Sequence, residues 1–165
     1  MPSSTTDIFS AASECRMETR LAGRPALYVI DLQPDQPGVA GSGTAVLTPT
    51  PSPFGIPLSP DGHPMFDVHI TVKNLPSPAA FGATAYVAWA STADLDKATN
   101  LGVIGSDQTT KGVMALNKYI VLVTAERTPV GPIWKGPVVL RGFSASTFLA
   151  NYASHPLFLG GMPPC

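Results

Sequence analysis

Residues 85–126 read AYVAWASTADLDKATNLGVIGSDQTTKGVMALNKYIVLVTAE, and their alternation of apolar runs with polar, turn-forming clusters decides the fold class. At 83–90 the run ATAYVAWA sets Tyr86 and Trp89 among alanines. The two large rings can fill a core while the small neighbours let another layer approach, and Trp89 is expected at the centre of that core. Residues 94–100 form a polar loop, 101–104 a short strand ended by Gly105, and the turn 106–112 leads into a further strand at 113–116. Asn117-Lys118 makes a tight turn before YIVLVTA at 119–125, a continuous apolar run suited to a central strand.

Working outward, the cleanest alternation in the chain lies upstream of this stretch. Phe66, Val68, Ile70 and Val72 fall on one face of an extended segment, and Asp67, His69, Thr71 and Lys73 on the other, as a half-buried antiparallel strand requires. Asp61-Gly62 before it is a turn signal. The Pro-rich segment 74–82 after it suits a crossover from one sheet to another. Residues 43–48, GTAVLT, and 26–32, ALYVIDL, are two more strands. Between 49 and 64 six prolines favour extended backbone, which reads as a stiff strap across a sheet edge on which Phe54, Ile56 and Leu58 dock. Downstream, residues 127–137 form a Pro- and Gly-rich loop carrying Trp134, and VVLR at 138–141 is the last strand.

About eight short strands at roughly ten-residue spacing predict an all-β domain, a β-sandwich with a closed barrel as the alternative. Residues 1–24 read as an N-terminal arm, 25–142 as the sandwich, and 143–165 as a short C-terminal helix and tail. The 18 prolines and 15 glycines leave little room for long helices.

Charged residues make up 13% of the chain, about half the usual share, and the net charge is −1. That balance offers no basic field for nucleic acid. Low charge on a small domain also suggests that a partner covers part of the surface. No run approaches the ~20 apolar residues of a membrane span, so any membrane association is expected to be indirect, through partners. The first residues lack the basic and apolar regions of a signal peptide. Cys15 and Cys165, near opposite ends, either stay as two thiols or pair in an oxidising compartment, and the sequence leaves both open.

The succession Asn74-Leu75-Pro76, Tyr86-Val87-Ala88-Trp89, Leu101-Gly102-Val103, Gly112, Val123-Thr124-Ala125-Glu126 and Gly136-Pro137-Val138-Val139-Leu140 resembles the extracytoplasmic sandwich domain of anti-sigma-K factors. It is also similar to secreted bacterial domains associated with multicopper oxidases. The resemblance spans roughly residues 65–141 and implies an immunoglobulin-like or cupredoxin-like sandwich at the periplasmic or extracellular face of a membrane. It implies no catalytic residue. The cytoplasmic sigma-binding helices and membrane span of the anti-sigma pattern are missing, and so is a His-x-His copper motif.

Active chemistry finds little footing. A blue-copper site needs two His, a Cys and usually a Met close together, whereas Cys165 stands at the end of the sequence. His63 and His69 would be ~20 Å apart on one straight strand and could share a metal only if the chain folds sharply at Pro64. There is no G-x-S-x-G elbow. Asp94 and Asp96 lack the further oxygen ligands that calcium demands. The loop 105–112 lacks the Lys placement and following helix of a phosphate loop, and reads as a hairpin turn.

The sequence therefore predicts no catalytic residue, no cofactor and no metal. It predicts a non-catalytic accessory subunit docked on other protein subunits of a larger extracytoplasmic assembly, a membrane-bound electron-transfer complex being one such assembly. Its candidate partner contacts are Phe54, Ile56, Trp134, Phe148, Tyr152, Leu157 and Phe158, each of which could instead close the ends of the domain's own sandwich. The alternatives are a copper-handling domain using His63, His69 or Met65, and a free-standing sensory or ligand-binding domain.

Overall fold

A computed structural model describes residues 28–147, apart from Phe54 and Ile56. Eight strands follow one another: β1 (Val29–Pro34), β2 (Ser42–Pro49), β3 (Met65–Lys73), β4 (Ala85–Ser91), β5 (Ala98–Val103), β6 (Thr109–Ala115), β7 (Ile120–Glu126) and β8 (Val138–Phe143). Their order across the sheet is β5-β4-β7-β8-β1-β2-β3-β6, with every pairing antiparallel. The domain is all-β and sandwich-like. The N-terminal arm, the tail and the candidate contacts Phe54, Ile56, Phe148, Tyr152, Leu157 and Phe158 lie outside the described residues, as do Cys15 and Cys165.

The sandwich arises because β1 serves two partners. Val29 to Leu32 register with β2, and then Gln33 and Pro34 register with β8. Pro34 has no N–H to donate, so a strand end is where it is tolerated. The chain is pinned at this corner by the Asp35 N–H, which donates to the Val139 carbonyl (3.0 Å), and by the Arg141–Asp35 ion pair (2.8 Å). At the opposite seam β5 and β6 approach without a ladder. Gly112 permits the approach, since a Cβ there would lie 2.6 Å from both Cα and O of Leu101. The sheet is thus nearly closed, and the two architectures left open by the sequence merge into a flattened, almost complete barrel.

The main core lies between the two halves. Ile30, Leu32, Ala45, Leu47, Val68, Ile70 and Val72 from one half meet Tyr86, Ala88, Ala90, Val121, Val123 and Ala125 from the other. On β3 the alternation read from the sequence holds, with Val68, Ile70 and Val72 buried and Asp67, His69 and Lys73 exposed. A second apolar cluster sits on the opposite face of β4 and β7, where Val87, Trp89, Ile120 and Leu122 pack with Ala98, Trp134 and Val138. Trp89 belongs to this second cluster rather than to the centre of the main core. The reason is parity: Tyr86 and Trp89 are three residues apart, and a strand period of two sends them to opposite faces. Coverage on both faces also explains why β7 is buried at every position.

The connections follow their turn chemistry. Residues 74–82 carry the chain from β3 to β4 through a 3-10 helix, Pro78–Phe81, closed by Gly82 in the left-handed region (φ 65°). Phe81 packs edge-on against Tyr86, whose hydroxyl donates to the Pro76 carbonyl (2.8 Å). The turn at 105–109 closes through the Gly105 N–H to the Thr109 carbonyl (3.0 Å), but its two strands then diverge to opposite ends of the sheet order. The described part of the Pro-rich segment 49–64 is no strap across an edge. β2 and β3 pair directly up to Pro49 and Phe66, so the segment is the excursion that joins two neighbours, folding back through a Leu58–Pro64 bridge and a Ser59–Gly62 turn. After β8, Ser144 takes the Thr147 N–H on its hydroxyl (3.1 Å), capping helical backbone at 145–147, while Thr147 Oγ1 donates to the Tyr119 carbonyl (2.9 Å).

Burial, aided by the nearby Tyr28 phenol, pushes the Tyr119 hydroxyl from 10.0 up to about 12. Between those values the folded state holds a proton that the unfolded chain has released, so stability must fall as pH rises through this window. We expect the melting temperature to drop progressively from pH 10.0 to about 12. In Tyr119→Phe the drop should be shallower, Tyr86, also raised by burial, supplying part of what remains. Melting curves across the alkaline range check both statements.

Candidate functional site

The 127–137 loop is built around one buried carboxylate. Glu126, the last residue of β7, is 3% exposed. Its Oε1 accepts the Thr124 hydroxyl (2.7 Å), and the backbone N–H groups of Lys135 and Gly136 aim at both carboxylate oxygens at 3.1–3.2 Å. Thr124 Oγ1 in turn accepts the Trp89 indole N–H (2.9 Å). A continuous relay therefore runs from β4 through β7 to the far end of the loop. A buried carboxylate without such donors would cost several kcal/mol. With them, it becomes a latch.

Packing reinforces the latch. Trp134 is half-buried and meets Trp89 edge-on, ring centroids 6.1 Å apart, so its indole helps to hold the loop against the second cluster. Gly136 allows the backbone to pass directly over β7, because any Cβ there would overlap the Ala125 carbonyl oxygen. The Ala125 N–H donates to the Pro137 carbonyl (3.0 Å) at the same point. The start of the loop is held as well. Thr84 Oγ1 reaches the Glu126 and Arg127 carbonyls (3.2 and 3.0 Å), and Arg127 Nε donates to the Gly82 carbonyl (3.0 Å). Between these ties Val130 is 83% exposed and Ile133 45% exposed.

A cleft of about 530 Å³ opens beside the loop, lined by Phe81, Val130, Ile133 and Pro137 together with Arg127 and Lys135, both of which are exposed. Glu126 also borders it, its carboxylate already holding three donors of its own.

The other residues weighed from sequence are dispersed. His63, in the excursion before β3, faces the Asn117 amide (Nδ1 to Nδ2, 2.9 Å), and His69 projects from the exposed face of β3 between Val46 and Lys111. Among the described residues, no group of three or more His, Cys, Asp and Glu side chains is placed to hold a metal ion. Asp94 and Asp96 share a loop with Thr92, whose hydroxyl donates to Asp96 Oδ1, and hydrogen bonding to Thr92 above all holds the Asp94 carboxyl below its ordinary range.

The sequence points to Glu126 only within the Val123-Thr124-Ala125-Glu126 resemblance, with no role assigned, and to Val130 and Ile133 not at all. A Glu that ends an apolar run just before a Pro-Gly loop reads as solvated. The signal that could have found it is parity, since Leu122, Thr124 and Glu126 share one face of β7 and lie across the ladder from Trp89 and its neighbours.

Glu126→Gln puts an amide donor where two backbone donors converge, and Glu126→Ala leaves those donors unpaired. Each should destabilise by about 1–3 kcal/mol, the range for stranding buried polar groups. Gly136→Ala should displace the loop outright. Denaturant melts, together with tryptophan fluorescence to report loss of the Trp89–Trp134 contact, measure both effects.

No protein-family model, no curated protein and no solved structure matches this chain.

Proposed function

We propose that this chain is a non-catalytic accessory module that docks on other protein subunits of a larger extracytoplasmic assembly and stabilises it. The observation that supports this reading best is the 127–137 loop, which holds an 83%-exposed Val130 and a half-exposed Ile133 on a base latched by buried Glu126. Exposed apolar side chains on a rigid base lose little conformational freedom when a partner covers them, so they make efficient anchors. Trp134, also expected at an interface, supports the anchors from beneath by its packing on Trp89.

The extracytoplasmic setting rests on the resemblance to anti-sigma-K and oxidase-associated sandwich domains, and a membrane-bound electron-transfer complex is the assembly we favour. Contact with the bilayer would be indirect. Among the described residues no helix is long and apolar enough to cross a membrane.

Gentle extraction of membranes from the source cells, followed by size chromatography, tests the proposal. The unaltered chain should elute with a large complex whose other subunits mass spectrometry identifies. Val130→Asp combined with Ile133→Asp should shift it to the monomer position without loss of folding, because both side chains project from the surface. Elution of the unaltered chain as a monomer overturns the proposal.

A further inference from the structure

We infer that the cleft beside the 127–137 loop binds a small organic acid, with a single carboxylate head and an apolar body. The inference shares Val130 and Ile133 with the docking proposal but does not depend on it, and is tested on the isolated full-length chain.

The walls define the ligand's two halves. Phe81, Val130, Ile133 and Pro137 supply an apolar surface, and a volume of about 530 Å³ falls within the ~300–1,000 Å³ typical of small-molecule sites. Arg127 and Lys135 supply the polar end. Neither has a carboxylate partner among the described residues, where the ion pair joins Arg141 to Asp35 at the β1–β8 corner. The Arg127 guanidinium is oriented by its Nε–H bond to the Gly82 carbonyl (3.0 Å), which leaves its two terminal nitrogens as a fork matched to a carboxylate.

Charge selects a monoanion. Glu126 borders the same cleft, and its negative charge offsets one of the two cations. A carboxylate meets a net attraction, whereas a phosphate dianion meets the buried Glu126 carboxylate with no third cation to balance it. Among the described residues Glu126 forms no ion pair with either cation, its oxygens being occupied by the Lys135 and Gly136 N–H groups and the Thr124 hydroxyl. These bonds also fix the wall before any ligand arrives, so binding requires little reordering.

Octanoate, kept below its self-association concentration, is the probe, with acetate, octan-1-ol and octyl phosphate as controls. Two-dimensional amide NMR of the full-length chain should show saturable shifts at Phe81, Arg127, Val130, Ile133, Lys135 and Gly136 with octanoate alone. Arg127→Gln with Lys135→Gln should weaken that binding at least about tenfold, the loss expected when charge-assisted bonds are removed. Lys135→Gln alone leaves the latching N–H intact and should still weaken binding, so it decides the matter if the double variant folds poorly. Absence of saturable shifts in the cleft overturns the inference. So does equal binding of octan-1-ol, which would show apolar adhesion only, tighter binding of octyl phosphate, or undiminished affinity in Lys135→Gln.

Discussion

The outer face of β4 and β7 depends on a single buried carboxylate. Strand β7 lies between two apolar clusters, and its last residue brings a formal charge into a place that is 3% exposed. Such a group is tolerated only where donors converge on it. Here they come from Thr124 on the same strand and from two consecutive N–H groups of a loop about ten residues on. Satisfying the charge therefore fixes the loop, and fixing the loop seats Trp134 on Trp89. The second cluster is thus finished by electrostatics, where the first is finished by facing sheets.

The closure of the sheet is the other constraint, and it is steric. β1 changes partners partway along its length, from β2 to β8, and so turns one corner of the flattened barrel. The other corner has no ladder to hold it and relies on close approach between Gly112 and Leu101. A nearly closed sheet offers few free backbone groups for edge-to-edge pairing with another chain. Contacts with other molecules then fall to loops and side chains, which is where the exposed apolar residues of the 127–137 loop stand.

Much of this was legible in the sequence because strands write their burial as alternation. Each of the eight segments read as strands contains one, although β5 and β6 begin at Ala98 and Thr109, inside segments whose polar residues read as loop and turn, and the inward set on β3 is the one its pattern gives. What failed had a common origin. The size of Trp89 points to the main core whereas its parity with Tyr86 points away from it, and the second cluster is not legible because what covers an outward face is decided by a distant loop. The Pro-rich segment 49–64 reads as a strap because proline content reports extended backbone but not which strands it joins. The burial of Glu126 is not legible locally, since nothing nearby in the sequence announces two N–H donors arriving from residues 135 and 136. Cooperation between distant segments is the part of a fold that composition and periodicity do not carry.

The two proposals for the loop are physically linked. Val130 and Ile133 are at once the exposed residues of the proposed docking loop and part of the apolar lining of the cleft. An acid lying against that wall would alter the surface the partner meets, and a partner covering the tip would alter access to the cleft. Linkage makes any such effect reciprocal: whatever factor the ligand imposes on partner affinity, the partner imposes on ligand affinity. The sign follows from geometry. If the partner needs the wall faces of Val130 and Ile133, the two compete; if it covers only their outward faces, it narrows the mouth of the cleft and retains the ligand. In either case the Glu126 latch would set the strength of the coupling, because a loop free to move would let each binder be accommodated without the other sensing it.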